Sequence, residues 1–183
     1  MARLPILKTY KLYIGGKFPR TESGRYVQVR DEKGTLVANV CRASRKDFRM
    51  AVVAARKAQS GWAARTPFNR GQVIYRMAEM LESRTASFVE LIMTSTGVKK
   101  KDAQAELECA IDRLVWYGGW CDKFAQVFGC TNLVASSHFN FTIPEPMGVL
   151  TAFAPSSASL LGVVQAIAPA ITQGNTVIAV TPI

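Results

Sequence analysis

The stretch from Pro144 to Val180 constrains this chain more than any other part of it. Thr142 to Ala154 is rich in apolar and β-branched residues, which predicts an extended strand. Pro155 has no N–H to donate and ends it. Ser156, Ser157 and Ser159 then offer hydroxyls that can cap a helix. Leu160, Leu161, Val164, Ile167, Ala168 and Ile171 recur at helical spacing, with a kink expected at Pro169. Gln173-Gly174 stops that helix, and Val177 to Val180 makes a second apolar strand. Two wholly apolar strands joined by a helix form a βαβ unit, whose strands lie buried on both faces. In such units ligands sit at the strand-to-helix turn, because helix N-terminal N–H groups converge there. The turn Pro155–Ser159 is therefore the first candidate site.

Length and charge narrow the classes. A chain of 183 residues suits one domain, or one and a part, and 49% hydrophobic residues suffice for a core. The net charge of +10 resides in Met1 to His138, since Glu145 is the only charged residue from Phe139 onward. Lys99-Lys100-Lys101 and the cluster Arg42, Arg45, Lys46 and Arg49 are short runs at helix starts. They read as a solvated basic surface, not a nucleic-acid face. The uncharged stretch Met147 to Ile183 is cut by Pro155, Pro169 and Gly174 into pieces too short to span a membrane. Met1 to Tyr10 lacks the apolar core of a signal peptide. Cys41, Cys109, Cys121 and Cys130 form no CxxC pair and read as reduced thiols of a cytoplasmic protein, with Cys109 and Cys121 packing in the core. No metal site is expected, because the lone His138 has no ligand partner at suitable spacing.

Taken in order, Lys11 to Phe18 predicts a hairpin about Gly15-Gly16, and Glu22-Ser23-Gly24 and Asp31 to Gly34 predict further turns around an extended Tyr26–Val29. This antiparallel flap is expected to cover something larger. Ser44 and Asp47 have capping-box spacing, opening a helix with Phe48, Val52, Ala55, Ala58 and Trp62 on one side and Gly61 at its end. Thr66-Pro67 starts a second helix with Val73, Met77, Met80 and Leu81 as its buried stripe, and Glu79 and Glu82 opposite Arg76 and Arg84. A third carries Phe88, Leu91 and Ile92 and closes at Gly97. The longest runs from Lys99 to Phe128, with Leu107, Ile111, Leu114, Val115, Cys121, Phe124 and Phe128 on its apolar side. Trp116, Tyr117 and Trp120 surround Gly118-Gly119, where a close helix contact is expected; they read as core rather than as a binding platform. Val134 to Thr142 reads as an edge or arm strand. The chain thus divides into a hairpin with a helical layer (1–133), an arm or oligomerisation strand (134–144) and the βαβ unit (145–183). Two parallel strands cannot cover their own faces, so further sheet is expected from this or another chain.

Several segments together resemble the N-terminal part of the aldehyde dehydrogenase superfamily. They are Tyr13-Ile14-Gly15-Gly16-Lys17-Phe18, Ala51 to Ala58, Asn69 to Arg84, Trp116-Tyr117-Gly118-Gly119-Trp120-Cys121-Asp122-Lys123, Glu145-Pro146-Met147-Gly148-Val149, and Ala168 through Val177. Each is weak alone; their order and spacing carry the resemblance. It implies an α/β fold in which an N-terminal hairpin and helical layer precede the first βαβ of an incomplete Rossmann-like parallel sheet. It also implies NAD or NADP as cofactor, with Phe153, Ala154, Pro155 and Ser156 at the cofactor edge, and oxidation of an aldehyde to an acid through a cysteine thiohemiacetal.

Three departures accompany it. Ser156 and Ser157 stand where the family has Trp and Asn, and that asparagine amide stabilises the thiohemiacetal oxyanion. A serine offers one shorter donor, and losing one such donor typically costs about 10²–10³ in rate. Val180 replaces a lysine that contacts the adenosine ribose. The nucleophilic cysteine and glutamate base of the family fall beyond residue 183, and none of the four cysteines takes the nucleophile's place. Two readings follow. One is an enzyme portion completed by the missing catalytic region. The other is a catalytically inactive homologue or fragment serving as structural or regulatory partner, in a homo- or hetero-oligomer with an aldehyde dehydrogenase-type chain. Ser156 and Ser157 can equally be helix caps or cofactor contacts.

Overall fold

A computed structural model describes residues 8–31, 33–156 and 159–182; Ser157 lies outside the described residues. The architecture is mixed α/β.

The N-terminal sheet comprises β1 (Thr9–Tyr10), β2 (Tyr26–Arg30) and β3 (Leu36–Cys41) in the order β1-β3-β2, β1 parallel and β2 antiparallel to β3. β1 and β3 were not expected from sequence. Between β1 and β2 the chain turns at Gly15-Gly16 as expected, with reciprocal backbone bonds between Ile14 and Lys17 of 2.9 and 3.1 Å. Both glycines have positive φ, 57° and 78°, as a two-residue hairpin turn of this hand requires.

Helix α1 (Arg45–Ala63) opens on the expected capping box, with Ser44 Oγ accepting from Asp47 N and Asp47 Oδ2 accepting from Ser44 N. It runs through Gly61 rather than ending there, because its last turn is held by Trp62. The Trp62 indole donates to Ile171 O at 3.0 Å. Its inward line is Ala51, Val52, Ala54, Ala55, Gln59 and Trp62, whereas Phe48 and Ala58 are exposed. α2 (Pro67–Glu82) starts as expected on Thr66 and Pro67, and α3 (Thr85–Thr96) closes on Gly97.

The core gathers around α4 (Lys100–Trp120). Ala103 and Leu107 pack with Val89 and Ile92 of α3, while Ala110 and Leu114 pack with Ile74 and Ala78 of α2. Ile74, Leu107 and Leu114 are fully buried, each stabilising by roughly 1.5–3 kcal/mol. The Arg76–Glu79 ion pair on the wet side contributes only about 0.3–0.5 kcal/mol, so the apolar stripe decides the packing. That stripe lies one position from the expected one on α2: Val73, Met77 and Met80 are partly exposed and line an open groove with Leu160, Val163 and Ile167. Leu91 and Val115 are likewise exposed, and Trp116 is half exposed, meeting Tyr117 edge-to-face and Trp120 at a tilt.

The expected close contact exists at Gly118, where α4 meets Gly71 of α2; Gly119 faces away. α4 does not reach Phe128. A turn at Cys121–Lys123 separates it from α5 (Phe124–Phe128). The arm is a hairpin, β4 (Cys130–Asn132) antiparallel to β5 (Asn140–Thr142), and Val134–Phe139 is its loop rather than a strand. Asn132 Nδ2 bonds across it to Asn140 Oδ1 at 2.8 Å.

β6 (Val149–Phe153), α6 (Leu160–Thr172) and β7 (Thr176–Val180) form the expected βαβ unit, in register from Val149↔Thr176 to Phe153↔Val180. Pro169 is accommodated inside α6. The α6–β7 turn is pinned by the helical layer: Gln59 Nε2 donates to Gly174 O, Gln59 Oε1 accepts from Thr176 N, and Arg70 Nε donates to Thr172 O. Asn175, 2% exposed, accepts from Gly148 N through Oδ1 at 2.9 Å and donates through Nδ2 to Ala170 O. Ala170 O also accepts from Asn175 N, so Asn175→Ala strands only the Gly148 N–H. A loss of about 1–2 kcal/mol is expected in urea unfolding; an unchanged midpoint would refute that reading.

Candidate functional site

The pinned end of the βαβ unit fixes the other end, where the parallel strands finish. Beyond the Phe153↔Val180 pair the ladder takes one further step, Ala154 N donating to Val180 O at 2.9 Å. That bond draws Ala154 into the interior, and Pro155, unable to donate, releases the chain. The four residues expected at the cofactor edge are thus contiguous but unlike in placement. Phe153 is 76% exposed, Ala154 is buried, and Pro155 and Ser156 are exposed on the turn. The expected oxyanion position, Ser157, lies outside the described residues. Val180 is half-buried at the end of β7 and presents a hydrocarbon at the edge, where a lysine would bring a charge.

Of the serines expected to cap α6, the two described, Ser156 and Ser159, do not do so. Ser159 is the N-cap residue but has helical backbone angles, φ −71° and ψ −74°, and its hydroxyl caps nothing. An N-cap hydroxyl reaches the N2 or N3 amide only from extended backbone. The cap comes instead from Glu106 on α4, 53 residues away. Its Oε1 accepts from Ser159 Oγ at 3.0 Å, Leu160 N at 2.8 Å and Leu161 N at 3.1 Å. A half-buried carboxylate thus occupies the end of the helix dipole that the sequence reading left open for a ligand. Sequence could have hinted at it only weakly, because Glu106 is a half-buried acid next to the buried Leu107, facing inward on α4.

The thiols take four different places. Cys121 packs with Ile74, Ala110 and Val164, and its Sγ lies 3.7 Å from Tyr117 O. Burial pushes its thiol above the ordinary value, and the Arg70 charge and Thr172 hydroxyl pull only partly back. It is a packing residue, as expected. Cys109 is exposed on α4, contrary to the expectation that it packs, because the neighbouring Ala110 takes the inward position. Cys130 is exposed in β4 and Cys41 is buried in β3. Among the described residues no cluster of three or more His, Cys, Asp or Glu could hold a metal, and no helix is long and apolar enough to cross a membrane.

Comparison with known proteins agrees with this geometry. The model of the aldehyde dehydrogenase family matches residues 18–181. The chain is 33% identical over 179 residues to retinal dehydrogenase 2 of Mus musculus, covering 94% of this chain and 34% of that protein. It is 31% identical over 171 residues to the D-glyceraldehyde dehydrogenase (NADP(+)) of Thermoplasma acidophilum, covering 92% and 34%. The crystal structure of PnpE in complex with nicotinamide adenine dinucleotide superposes with a TM-score of 0.90 at 25% identity, over 94% of this chain and 35% of that one. This chain therefore spans about a third of the length of these relatives. From its ordered motifs, its Rossmann-like βαβ unit and these matches, the chain belongs to the aldehyde dehydrogenase family.

Proposed function

We propose that this chain supplies the cofactor edge of an aldehyde dehydrogenase-type enzyme, which oxidises an aldehyde to an acid with NAD or NADP once residues outside these 183 complete it. The observation that carries this is Phe153, 76% exposed at the carboxyl end of a parallel strand pair and followed by the buried Ala154. Ligands of open α/β sheets bind outside the carboxyl ends of the strands. Phe153, Pro155 and Val180 form an apolar wall and Ser156 adds a hydroxyl, a set that fits a nucleoside ring and ribose. The bound cofactor supplies the hydride acceptor. This chain's part is to seat it, with the Ala154–Val180 hydrogen bond holding the wall in place. By the family resemblance, covalent attack belongs to a cysteine whose place none of the four here takes.

Calorimetric titration of the purified protein with NAD and NADP tests this reading. Saturable binding is expected with at least one of them, weakened about tenfold or more in Phe153→Asp, which replaces the apolar face offered to the nucleoside by a charge (about 1.4 kcal/mol per tenfold). Absence of binding at millimolar cofactor would defeat it. No aldehyde-dependent reduction of cofactor is expected from this chain alone.

A second reading is favoured by Val180 and Ser157, which replace the family's lysine and asparagine. In it the chain is a non-catalytic structural or regulatory partner of an aldehyde dehydrogenase-type chain. Robust turnover in Ser157→Asn alone would overturn both readings, because each places the nucleophile elsewhere. Native mass spectrometry separates the readings: co-purification with a cysteine-bearing homologue that is already active by itself favours the partner role.

A further inference from the structure

We propose that Glu106 is the positioning residue of the start of α6, and that it makes this edge selective for the uncharged nucleoside part of a ligand by refusing phosphate there. The selectivity rests on the cofactor reading above; the positioning role does not. Three donors converge on one oxygen, Glu106 Oε1: the Ser159 hydroxyl and the Leu160 and Leu161 amides, at 2.8–3.1 Å. These are the groups that a phosphate at a helix N-terminus would use.

A carboxylate from a different helix already neutralises them, and among the described residues no Lys or Arg forms an ion pair with it. From Phe139 to the end the chain has one charged residue, Glu145, and it precedes β6 at the opposite end of that strand. An arriving phosphate would meet a negative charge where a free helix end would offer a positive one. Meanwhile α4 is the most deeply packed helix, with Ala103, Leu107, Ala110 and Leu114 buried. A side chain rooted there holds Ser159 and the first turn of α6 in place. Ser159 cannot replace it, since its backbone is already helical and its own hydroxyl donates to Glu106.

The test uses the purified full chain, with inorganic phosphate and adenosine as probes and backbone amide NMR as readout. In the wild type, phosphate to tens of millimolar is expected to leave the Leu160 and Leu161 amides unmoved, and adenosine to shift Phe153, Ala154 and Ser156. In Glu106→Ala the vacated position is expected to take the anion. The Leu160 and Leu161 amides then shift saturably, and phosphate restores part of the Tm lost in that variant while leaving the wild-type Tm unchanged. Glu106→Gln keeps an acceptor oxygen and loses the charge. It is expected to fold and to show weaker phosphate shifts, which keeps the test open if the alanine variant does not fold. Equal phosphate shifts at Leu160 and Leu161 in wild type and both variants would overturn the assignment. Failure of adenosine to shift the wild type, with the phosphate contrast intact, removes the nucleoside selectivity and the cofactor reading while upholding Glu106 as the positioning residue.

Discussion

Replacing Asp47 by alanine is expected to cost about 3–4 kcal/mol of stability, roughly 10 °C in Tm for a chain of this size. The side chain is 2% exposed and serves three donors at once. Oδ2 accepts from the Thr21 hydroxyl at 2.6 Å and Ser44 N at 2.8 Å, and Oδ1 accepts from Glu22 N at 3.2 Å. Alanine removes the capping box of α1 and leaves these donors unpaired, with Thr21 itself buried. Burial opposes ionisation of this carboxyl, but the bonds from Thr21, Ser44 and Glu22 outweigh it and hold its pKa below the ordinary 3.8. The sign follows. A depressed folded pKa contributes stability that is complete above the unfolded value and is lost as pH falls through the folded one. Urea unfolding should therefore show no contribution from this group to pH dependence between pH 5 and 7, and a decline below about pH 4. Asp47→Asn should remove that part of the acid slope; an identical slope in the variant would refute the role.

Gly71→Ala is the second large effect. A Cβ built at Gly71 would sit 2.8 Å from Gly118 O, and the obstacle is backbone of a packed helix that cannot swing aside. Overpacking of this kind costs typically 1–3 kcal/mol, against a gain of at most about 1 kcal/mol from better helix propensity. A net loss of about 2 kcal/mol is expected by thermal or urea unfolding. The contact is asymmetric: a Cβ at Gly118 would stand 3.4 Å from Gly71 O, and one at Gly119 would meet only the flexible Lys123 amine at 3.6 Å. Gly118→Ala is thus expected near neutral and Gly119→Ala mildly stabilising. Equal gains at all three positions would show that helix propensity, not the crossing, governs this site.

What the sequence made legible was local. The capping box at Ser44 and Asp47, the Gly15-Gly16 turn, Pro67 at a helix start and the βαβ unit each need only neighbouring residues to be specified. The faces of the helices were less legible. On α2 both Ile74 with Ala78 and Val73 with Met77 satisfy helical periodicity, and only the approach of Gly118 to Gly71 selects the first pair. The same holds for Cys109 against Ala110 on α4. At the candidate site, the strand end and turn were readable from Phe153 to Ser156, but the cap was not. Serines in the right place suggested a local cap, and tertiary structure supplied an acid from a helix more than fifty residues away.

The attachment of the N-terminal sheet has a consequence for how the molecule opens. Among the described residues, that sheet is fastened through the Asp47 bonds to Thr21 and Glu22, the Lys46–Glu22 ion pair and the abutment of Gly15 on Ala54. Its strands face α3 across a gap of about 660 Å³ bordered by Val37, Val40 and Leu91. A layer held at its root and separated elsewhere can swing away as one piece without breaking the packing of α2, α4 and α6. Its amides should then exchange with solvent through a cheaper local opening than those of the three core helices. The βαβ unit, tied to α1 and α2 by Gln59, Trp62 and Arg70, would stay with the core. The proposed cofactor edge is thereby mechanically insulated from the most loosely attached part of the chain.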